Sequence, residues 1–226
     1  MTVAVIADAH LGGPGGEAGP LVAQLAELPR RGCRHLVLLG DMFHVWVGSA
    51  RFETPEIRAV VPALRELRER GVAIDYVEGN RDFFLAGGPY ASLFDRLGTE
   101  VAFEAGGRRY LAVHGDGLND RDRQYLFWRR LSKSAPSRLL MLNLPGPLAR
   151  RAVGSTERRL AKTNFKHKAR VPEEAIVRYG ERRLAAGHDV LLLGHFHEPR
   201  TWRVAGGEIR LLDAWFNSRR VEWLGE

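Results

Sequence analysis

Five short segments place side chains that bind divalent cations directly after apolar runs. They are Asp8-Ala9-His10, Gly40-Asp41, Gly79-Asn80-Arg81-Asp82, His114-Gly115-Asp116 and Gly194-His195-Phe196-His197. Their donors are Asp8, His10, Asp41, Asn80, His114, His195 and His197, with no sulfur among them. Oxygen and imidazole donors without thiolate suit manganese, magnesium, iron or zinc, and the mix favours manganese. One ion does not need so many donors. Two ions sharing a carboxylate would use them, with Asp41 as the natural bridge, and ions about 3.5–4 Å apart are typical of phosphoester hydrolysis. Each segment alone has a plainer use. Asp8 could start a turn, Asn80 could be a left-handed turn residue after Gly79, and His114 could be a hydrogen-bonded core histidine. Packing does not explain all five in succession, each at the end of an apolar run.

The neighbours of these donors suggest supporting roles. Arg81 could clamp a phosphate oxygen through its planar fork, or pair with Asp82 or another local acid. Asp82 and Asp116 suit orienting ligands or closing turns. His10 and His195 could pass a proton to a leaving oxygen, and the sequence does not choose between them. No Ser-His-Asp or Cys-His arrangement competes, because Cys33 precedes a strand and is expected in the core. A single cysteine also excludes an internal disulfide and any cysteine-based zinc site.

The elements that must carry these residues follow from periodicity. Strands are predicted at Thr2–Ala7, His35–Leu39, Val72–Val77, Val101–Glu104, Tyr110–Val113, Asp189–Leu193, Thr201–Val204, Glu208–Leu212 and Arg219–Trp223. Helical spacing separates the early ones: Leu21, Leu25 and Leu28 after Pro20, then Ile57, Val60, Val61, Leu64 and Leu67 around Pro62. A further helix is predicted from about Pro172 to Ala186. Strand and helix alternating in this way imply an α/β fold with right-handed crossovers. In such sheets the carboxyl ends of the strands meet at one crevice, where ligands bind. Residues at i and i+2 leave an extended chain on the same side, so Asp8 with His10, and His195 with His197, can converge. The last three strands read as antiparallel, with Gly206-Gly207 as a hairpin turn.

Length and composition agree with this. The chain has 226 residues, 45% hydrophobic and 27% charged, enough apolar material for a core and expected to form one domain over residues 1–226. The opening from Met1 to His10 reads as a strand and not as a leader, since Asp8 interrupts it. The uncharged run from Leu139 to Ala149 is far short of the roughly 20 apolar residues that cross a bilayer, so a soluble chain is expected.

One region departs from the alternation. Residues 118–168 read as consecutive short helices broken at Pro136, Pro145-Gly146-Pro147 and Gly154, an inserted lid beside the crevice. Residues 121–170 hold 14 Lys and Arg against two acids, Asp122 and Glu157, while the whole chain carries only +7. That charge could be a solvated helical surface, or it could attract nucleic acid, phospholipid or a phosphorylated substrate. The same region holds Leu126, Phe127, Trp128, Leu131, Leu139, Leu140, Met141, Leu142, Leu144, Leu148, Leu160 and Phe165. Some must form its own small core. An apolar groove for acyl chains at an anionic lipid surface accounts for the rest.

The five segments resemble the signature of the calcineurin-like metallophosphoesterases over nearly the whole chain. That resemblance implies a four-layer αββα sandwich. One ion would be held by Asp8, His10, Asp41 and His197, and the other by Asp41, Asn80, His114 and His195. A hydroxide between the ions would be the nucleophile. Longer stretches narrow the likeness: Gly40-Asp41-Met42-Phe43-His44-Val45-Trp46-Val47-Gly48, Gly79-Asn80-Arg81-Asp82-Phe83-Phe84-Leu85, His114-Gly115-Asp116-Gly117-Leu118, Asp122-x-x-Tyr125 and Pro147-Leu148-x-x-Arg151. They resemble the bacterial UDP-2,3-diacylglucosamine pyrophosphatases of the lipid A pathway.

The narrower resemblance implies a manganese enzyme that cleaves UDP-2,3-diacylglucosamine to UMP and 2,3-diacylglucosamine 1-phosphate (lipid X). Asp41, Asn80, Arg81, His114 and His195 would carry the catalysis. Asn80, Arg81, Asp122, Tyr125, Asn164, Lys168 and His195 would touch the substrate. Leu160 stands where the family has a lid serine, and His167 where it has a lid lysine, with Lys166 and Lys168 beside it. The implied partners are an anionic acylated nucleotide sugar and the cytoplasmic face of the inner membrane, without nucleic acid. Oligomeric state is not implied. The competing readings are a metallophosphoesterase acting on nucleotides or nucleic acid, and a non-catalytic, metal-stabilised protein at the membrane surface.

Overall fold

Side-chain alternation decides the layering. In β1 (Thr2–Ile6) and β2 (Cys33–Leu38), Val3, Val5 and Val37 face one way while Ala4, Ile6, Leu36 and Leu38 face the other. All seven are buried, so both faces of their sheet are covered, as near-continuous apolar strands require. The computed structural model describes residues 2–143 and 171–225. It adds β3 (Trp46–Val47), β4 (Ala73–Val77), β5 (Asp82–Phe83), β6 (Arg96–Gly98), β7 (Glu100–Ala105) and β8 (Arg108–Val113). Then come β9 (Val190–Leu193), β10 (Arg200–Val204), β11 (Gly207–Leu211) and β12 (Glu222–Leu224). The helices are α1 (Ala18–Glu27), α2 (Pro55–Glu69), α3 (Arg123–Ser132), α4 (Ala135–Asn143), α5 (Glu173–Ala185) and α6 (Trp215–Ser218).

Two five-stranded sheets run β12-β1-β2-β4-β6 and β10-β11-β9-β8-β7, with β3 and β5 as a separate parallel pair. Leu21 and Leu25 of α1 and Ile57, Val60, Val61, Leu64 and Leu67 of α2 pack on the outer face of the first sheet. Val5, Val37 and Val77 meet Phe103, Tyr110, Ala112, Val190 and Leu192 between the sheets. Ile176 and Leu184 of α5 cover Leu191, Leu193, Ile209 and Leu211 on the far face. Helices, sheet, sheet and helix make the expected αββα order.

The C-terminal strands differ from expectation. β10 and β11 form an antiparallel hairpin, but its turn is Ala205-Gly206, one residue earlier than predicted. β11 then pairs in parallel with β9, and β12 crosses to the other sheet to pair antiparallel with β1. Alternation reports which face a side chain takes and not which strand lies beside it. β3, β5, β6 and α6 were also not predicted, because two to four residues are too few to show a period.

The expected insert departs from the second sheet. β8 and β9 are neighbouring parallel strands, and α3, α4 and α5 lie between them in the chain. Pro136 falls in the first turn of α4, where its missing N–H has no helical partner to lose. The breaks at Pro145–Pro147 and Gly154 lie outside the described residues.

Candidate metal centre

Strands from both sheets deliver the predicted donors to one place. Asp8 and His10 follow β1, Asp41 follows β2, Asn80 follows β4, His114 follows β8, and His195 and His197 follow β9. Backbone hydrogen bonds tie these loops together: Asp8 to Gly40 (3.2 Å), His10 to Asp41 (3.0 Å) and Gly194 to His114 (3.1 Å). Asp8, His10, Asp41, His195 and His197 all take left-handed backbone conformations, with φ of 51°, 46°, 51°, 68° and 60°. For side chains other than glycine this costs of the order of 1–3 kcal/mol each and persists only where the surroundings enforce it. It lifts each side chain out of the strand direction and toward its neighbours.

The donors fall into two close groups. Asp8, His10 and His197 form one: Asp8 Oδ1 is 3.1 Å from His197 Nε2 and 3.6 Å from His10 Nε2, and the two Nε2 atoms are 3.2 Å apart. Asp8, Asp41 and His114 form the other. His114 Nε2 lies 3.7 Å from Asp41 Oδ2 and 3.3 Å from Asn80 Oδ1, and the His195 ring centroid is 5.2 Å from that of His114. His114 Nδ1 faces the Leu39 carbonyl at 3.0 Å, which can only accept, so Nδ1 carries the proton and Nε2 is left as the donor to an ion. The carboxylate common to both groups is Asp8, while Asp41, the bridge expected from the sequence, belongs to the second.

Two glycines allow this closeness. A Cβ on Gly79 would lie 2.3 Å from Asp41 Oδ1, and one on Gly194 would lie 2.6 Å from Asp8 Oδ2. Asp82, fully buried, organises the Gly79 turn: Oδ2 accepts the amides of Asp41 (3.1 Å) and Gly79 (2.7 Å), and Oδ1 accepts the Tyr76 hydroxyl (2.9 Å).

The electrostatics are those of a site built for added positive charge. Burial would raise the Asp8 carboxyl, but His114, His197 and His10 hold it well below the ordinary range. Burial and the neighbouring Asp41 charge raise Asp82 to about 7, against Lys133 and two backbone amides. Burial disfavours protonated His114, yet Asp41, Asp8 and Asp116 raise it on balance. Buried carboxylates at this density are costly unless cations accompany them. The oxygen and imidazole donors, Asn80 Oδ1 among them, fit divalent ions.

Comparison with known proteins follows the same direction. No protein-family model matches the chain. UDP-2,3-diacylglucosamine hydrolase of Ralstonia nicotianae is 30% identical over 223 residues, covering 93% of this chain and 82% of that protein. This chain belongs to the UDP-2,3-diacylglucosamine hydrolase family. The protein of the same name from Cellvibrio japonicus is 34% identical over 173 residues, covering 73% of this chain and 68% of that one. Among solved structures, phosphopantetheinyl hydrolase from Mycobacterium tuberculosis is similar at 17% identity and a TM-score of 0.48, covering 99% of this chain and 95% of that chain.

In this member of the UDP-2,3-diacylglucosamine hydrolase family, the residues expected to touch substrate divide. Arg81 is at the centre, and the local acid it pairs with is Asp41: Nε stands 3.6 Å from Asp41 Oδ2, and Nη1 donates to the His44 carbonyl at 3.0 Å. Asp122 caps α3, with Oδ1 accepting the Tyr125 amide at 2.9 Å. The Tyr125 hydroxyl donates to Asp116 Oδ2 at 2.8 Å. Asn164 and Lys168, with Leu160 and His167, lie outside the described residues.

Sequence reasoning missed Arg129 and Lys133, whose side chains turn inward from α3 onto Asp116 and the Gly79 carbonyl. Nothing in a run of basic residues marks which ones face inward. On the other side of α3 and along α4, Phe127, Trp128, Leu131, Leu139 and Leu140 are the large hydrophobic side chains left exposed among the described residues, Leu139 by 68%. Among the described residues, no helix is long and apolar enough to cross a membrane.

Proposed function

We propose that this chain hydrolyses the pyrophosphate of UDP-2,3-diacylglucosamine to UMP and 2,3-diacylglucosamine 1-phosphate, a step of lipid A biosynthesis. The reaction adds one water across the P–O–P bridge, and the departing phosphate leaves on its own oxygen. The observation that carries this reading is the meeting of Asp8, His10, Asp41, Asn80, His114, His195 and His197 at the strand ends, in a chain of this family. Asp8, His10, Asp41 and His197 would hold one ion; Asp41, Asn80, His114 and His195 would hold the other. Manganese suits the donors, with magnesium, iron and zinc as alternatives. When bound, two such ions supply a nucleophilic water at neutral pH and neutralise charge on the phosphoryl oxygens.

The chain's own groups do the rest. Arg81, buried beside Asp41 with its Nε not hydrogen-bonded, is placed to hold a phosphate oxygen. His10 and His195 are the candidates for delivering a proton to the leaving oxygen. Residues 118–168 act as a lid, and Asn164 and Lys168 complete the contacts to the sugar phosphate with Asp122 and Tyr125. The exposed apolar side chains of α3 and α4, interleaved with Arg123, Arg130 and Arg138, support acyl-chain binding and peripheral attachment at the cytoplasmic face of the inner membrane.

The test is phosphorus NMR of manganese-loaded protein with UDP-2,3-diacylglucosamine in detergent, beside Asn80→Ala. Release of UMP and the sugar 1-phosphate by the wild type alone is expected. Hydrolysis of a simple phosphodiester or of nucleic acid, with the acylated substrate left intact, would overturn the lipid reading and keep the dimetal one.

A further inference from the structure

Helix α3 does more than lie beside the metal-facing loops. Tyr125, Arg129 and Lys133 recur every fourth residue, so they form one stripe along it. All three point at the loops that carry Asn80 and His114. Tyr125 donates its hydroxyl to Asp116 Oδ2 at 2.8 Å. Arg129 grips the same carboxylate with both ends of its fork, Nε on Oδ2 and Nη2 on Oδ1 at 3.4 Å. Asp116 is buried and lies two residues beyond His114. Lys133 Nζ donates to the carbonyl of Gly79 at 2.6 Å, in the peptide that leads into Asn80. The two residues so approached are the ones whose side chains meet, Asn80 Oδ1 and His114 Nε2 at 3.3 Å.

Among the described residues, α4 is attached elsewhere. Arg138 of α4 reaches the Ala86 carbonyl at 3.4 Å, and Arg51 donates to the Leu142 carbonyl at 2.9 Å. Neither contact touches a loop bearing a metal donor. The opposite side of α3 carries the exposed Phe127, Trp128 and Leu131. Arg129 and Lys133 therefore act inward, and among the described residues they meet the Asn80–His114 half of the centre. Asp8, His10 and His197 receive no such support from α3.

We propose that Arg129 and Lys133 are positioning residues for the Asn80–His114 half of the centre, so that the insert sets the affinity for one of the two ions. The proposal rests on the two-ion reading above. A group that orients a ligand from behind fixes the spacing of the donors before the ion arrives. Removing such a group typically weakens metal binding by about 10–100-fold. The ion at Asp8, His10 and His197 should not notice, because its donors are held by the β1 and β9 loops.

Manganese titration of the full chain, read by electron paramagnetic resonance, tests this without any turnover. Wild type should take two ions and show the spectrum of a spin-coupled pair. Arg129→Ala and Lys133→Met should bind the first ion normally, bind the second at least tenfold more weakly, and lose the coupled spectrum at low loading. Arg129→Lys and Lys133→Arg keep the cation and should recover much of the second-ion affinity. Arg138→Ala should bind both manganese ions with wild-type affinity.

A wild type that takes a single ion would sink the two-ion reading and the clamp with it. If wild type takes two and Arg129→Ala and Lys133→Met do so with equal affinity, only the clamp falls. It falls too if those variants weaken both ions alike, as general unfolding would, or if Arg138→Ala loses the second ion as readily.

Discussion

At the strand ends, Asp8, Asp41, Asn80 and His114 are polar and buried; on α3 and α4, Phe127, Trp128, Leu139 and Leu140 are apolar and exposed. Each region reverses the usual partition of side chains between core and water. The reversal at the strand ends is held by hydrogen bonds between loops. Among the left-handed residues, the Asp8 and His10 amides donate to the Gly40 and Asp41 carbonyls, the Asp41 amide donates to Asp82, and the His195 amide and His197 ring meet the Asp8 carboxylate. The reversal on the helices is a surface matter, with no buried residue in α3 or α4. Buried polar groups want an ion, and exposed apolar groups want an apolar partner. On the proposed function, the two regions would take different parts of one amphipathic ligand, its phosphates and its acyl chains.

The sharpest way to break this division is to remove a donor. Asp8→Asn keeps the shape but removes the negative charge of a carboxylate shared by both close groups. Turnover of the pyrophosphate substrate should fall by about a thousandfold or more, since the ions supply several kcal/mol of charge stabilisation. Thermal melting should move by only a few degrees. A variant that retains a tenth of wild-type turnover would remove Asp8 from the chemistry.

The helices should respond in binding and not in rate. Phe127→Ser with Leu140→Ser deletes apolar surface that is already exposed in the free chain. Burying such side chains against acyl chains is worth about 1.5–3 kcal/mol each at most, so KM for the diacylated substrate should rise about tenfold or more. The kcat should stay within twofold, and sedimentation with anionic vesicles should weaken. An unchanged KM together with unchanged vesicle binding would leave these side chains without a ligand.

How much of this was legible in the sequence also divides by region. The donors could be found because chemistry-bearing residues follow apolar runs, and those runs became β1, β2, β4, β8 and β9. The layering was legible because Val3 and Ala4, or Val37 and Leu38, alternate between two cores. The left-handed conformations were not, since Asp and His at those positions give no local sign of the turn they are forced into. Nor was the partner of β12, which joins the first sheet and not its hairpin neighbours. On α3 the limit is different again. Arg123, Arg129, Arg130 and Lys133 look alike in sequence, yet Arg129 and Lys133 turn inward, a choice made by where Asp116 and the Gly79 carbonyl happen to lie.

The smallest expected effect joins the two regions through pH. Burial and the Asp41 charge raise Asp82 to about 7 in the folded chain, above the ordinary carboxylate value of 3.8. The fold thus favours its protonated form. Its contribution to the stability of the metal-free chain is complete below about pH 4 and is lost as pH rises through 7. Asp116 behaves in the opposite sense: against burial, His114 and Arg129 hold it well below the ordinary range. Its contribution is present at neutral pH and is lost only in acid, below about pH 4. Asp82→Asn should therefore flatten the decline in melting temperature between pH 4 and pH 7 by a few degrees. Arg129→Ala should leave that decline in place and make the chain more fragile at neutral pH, where the ionised Asp116 has lost its partner. Melting curves of the metal-free variants across this range separate the two. An equally steep decline in Asp82→Asn would show that the buried turn at Gly79 carries its proton elsewhere.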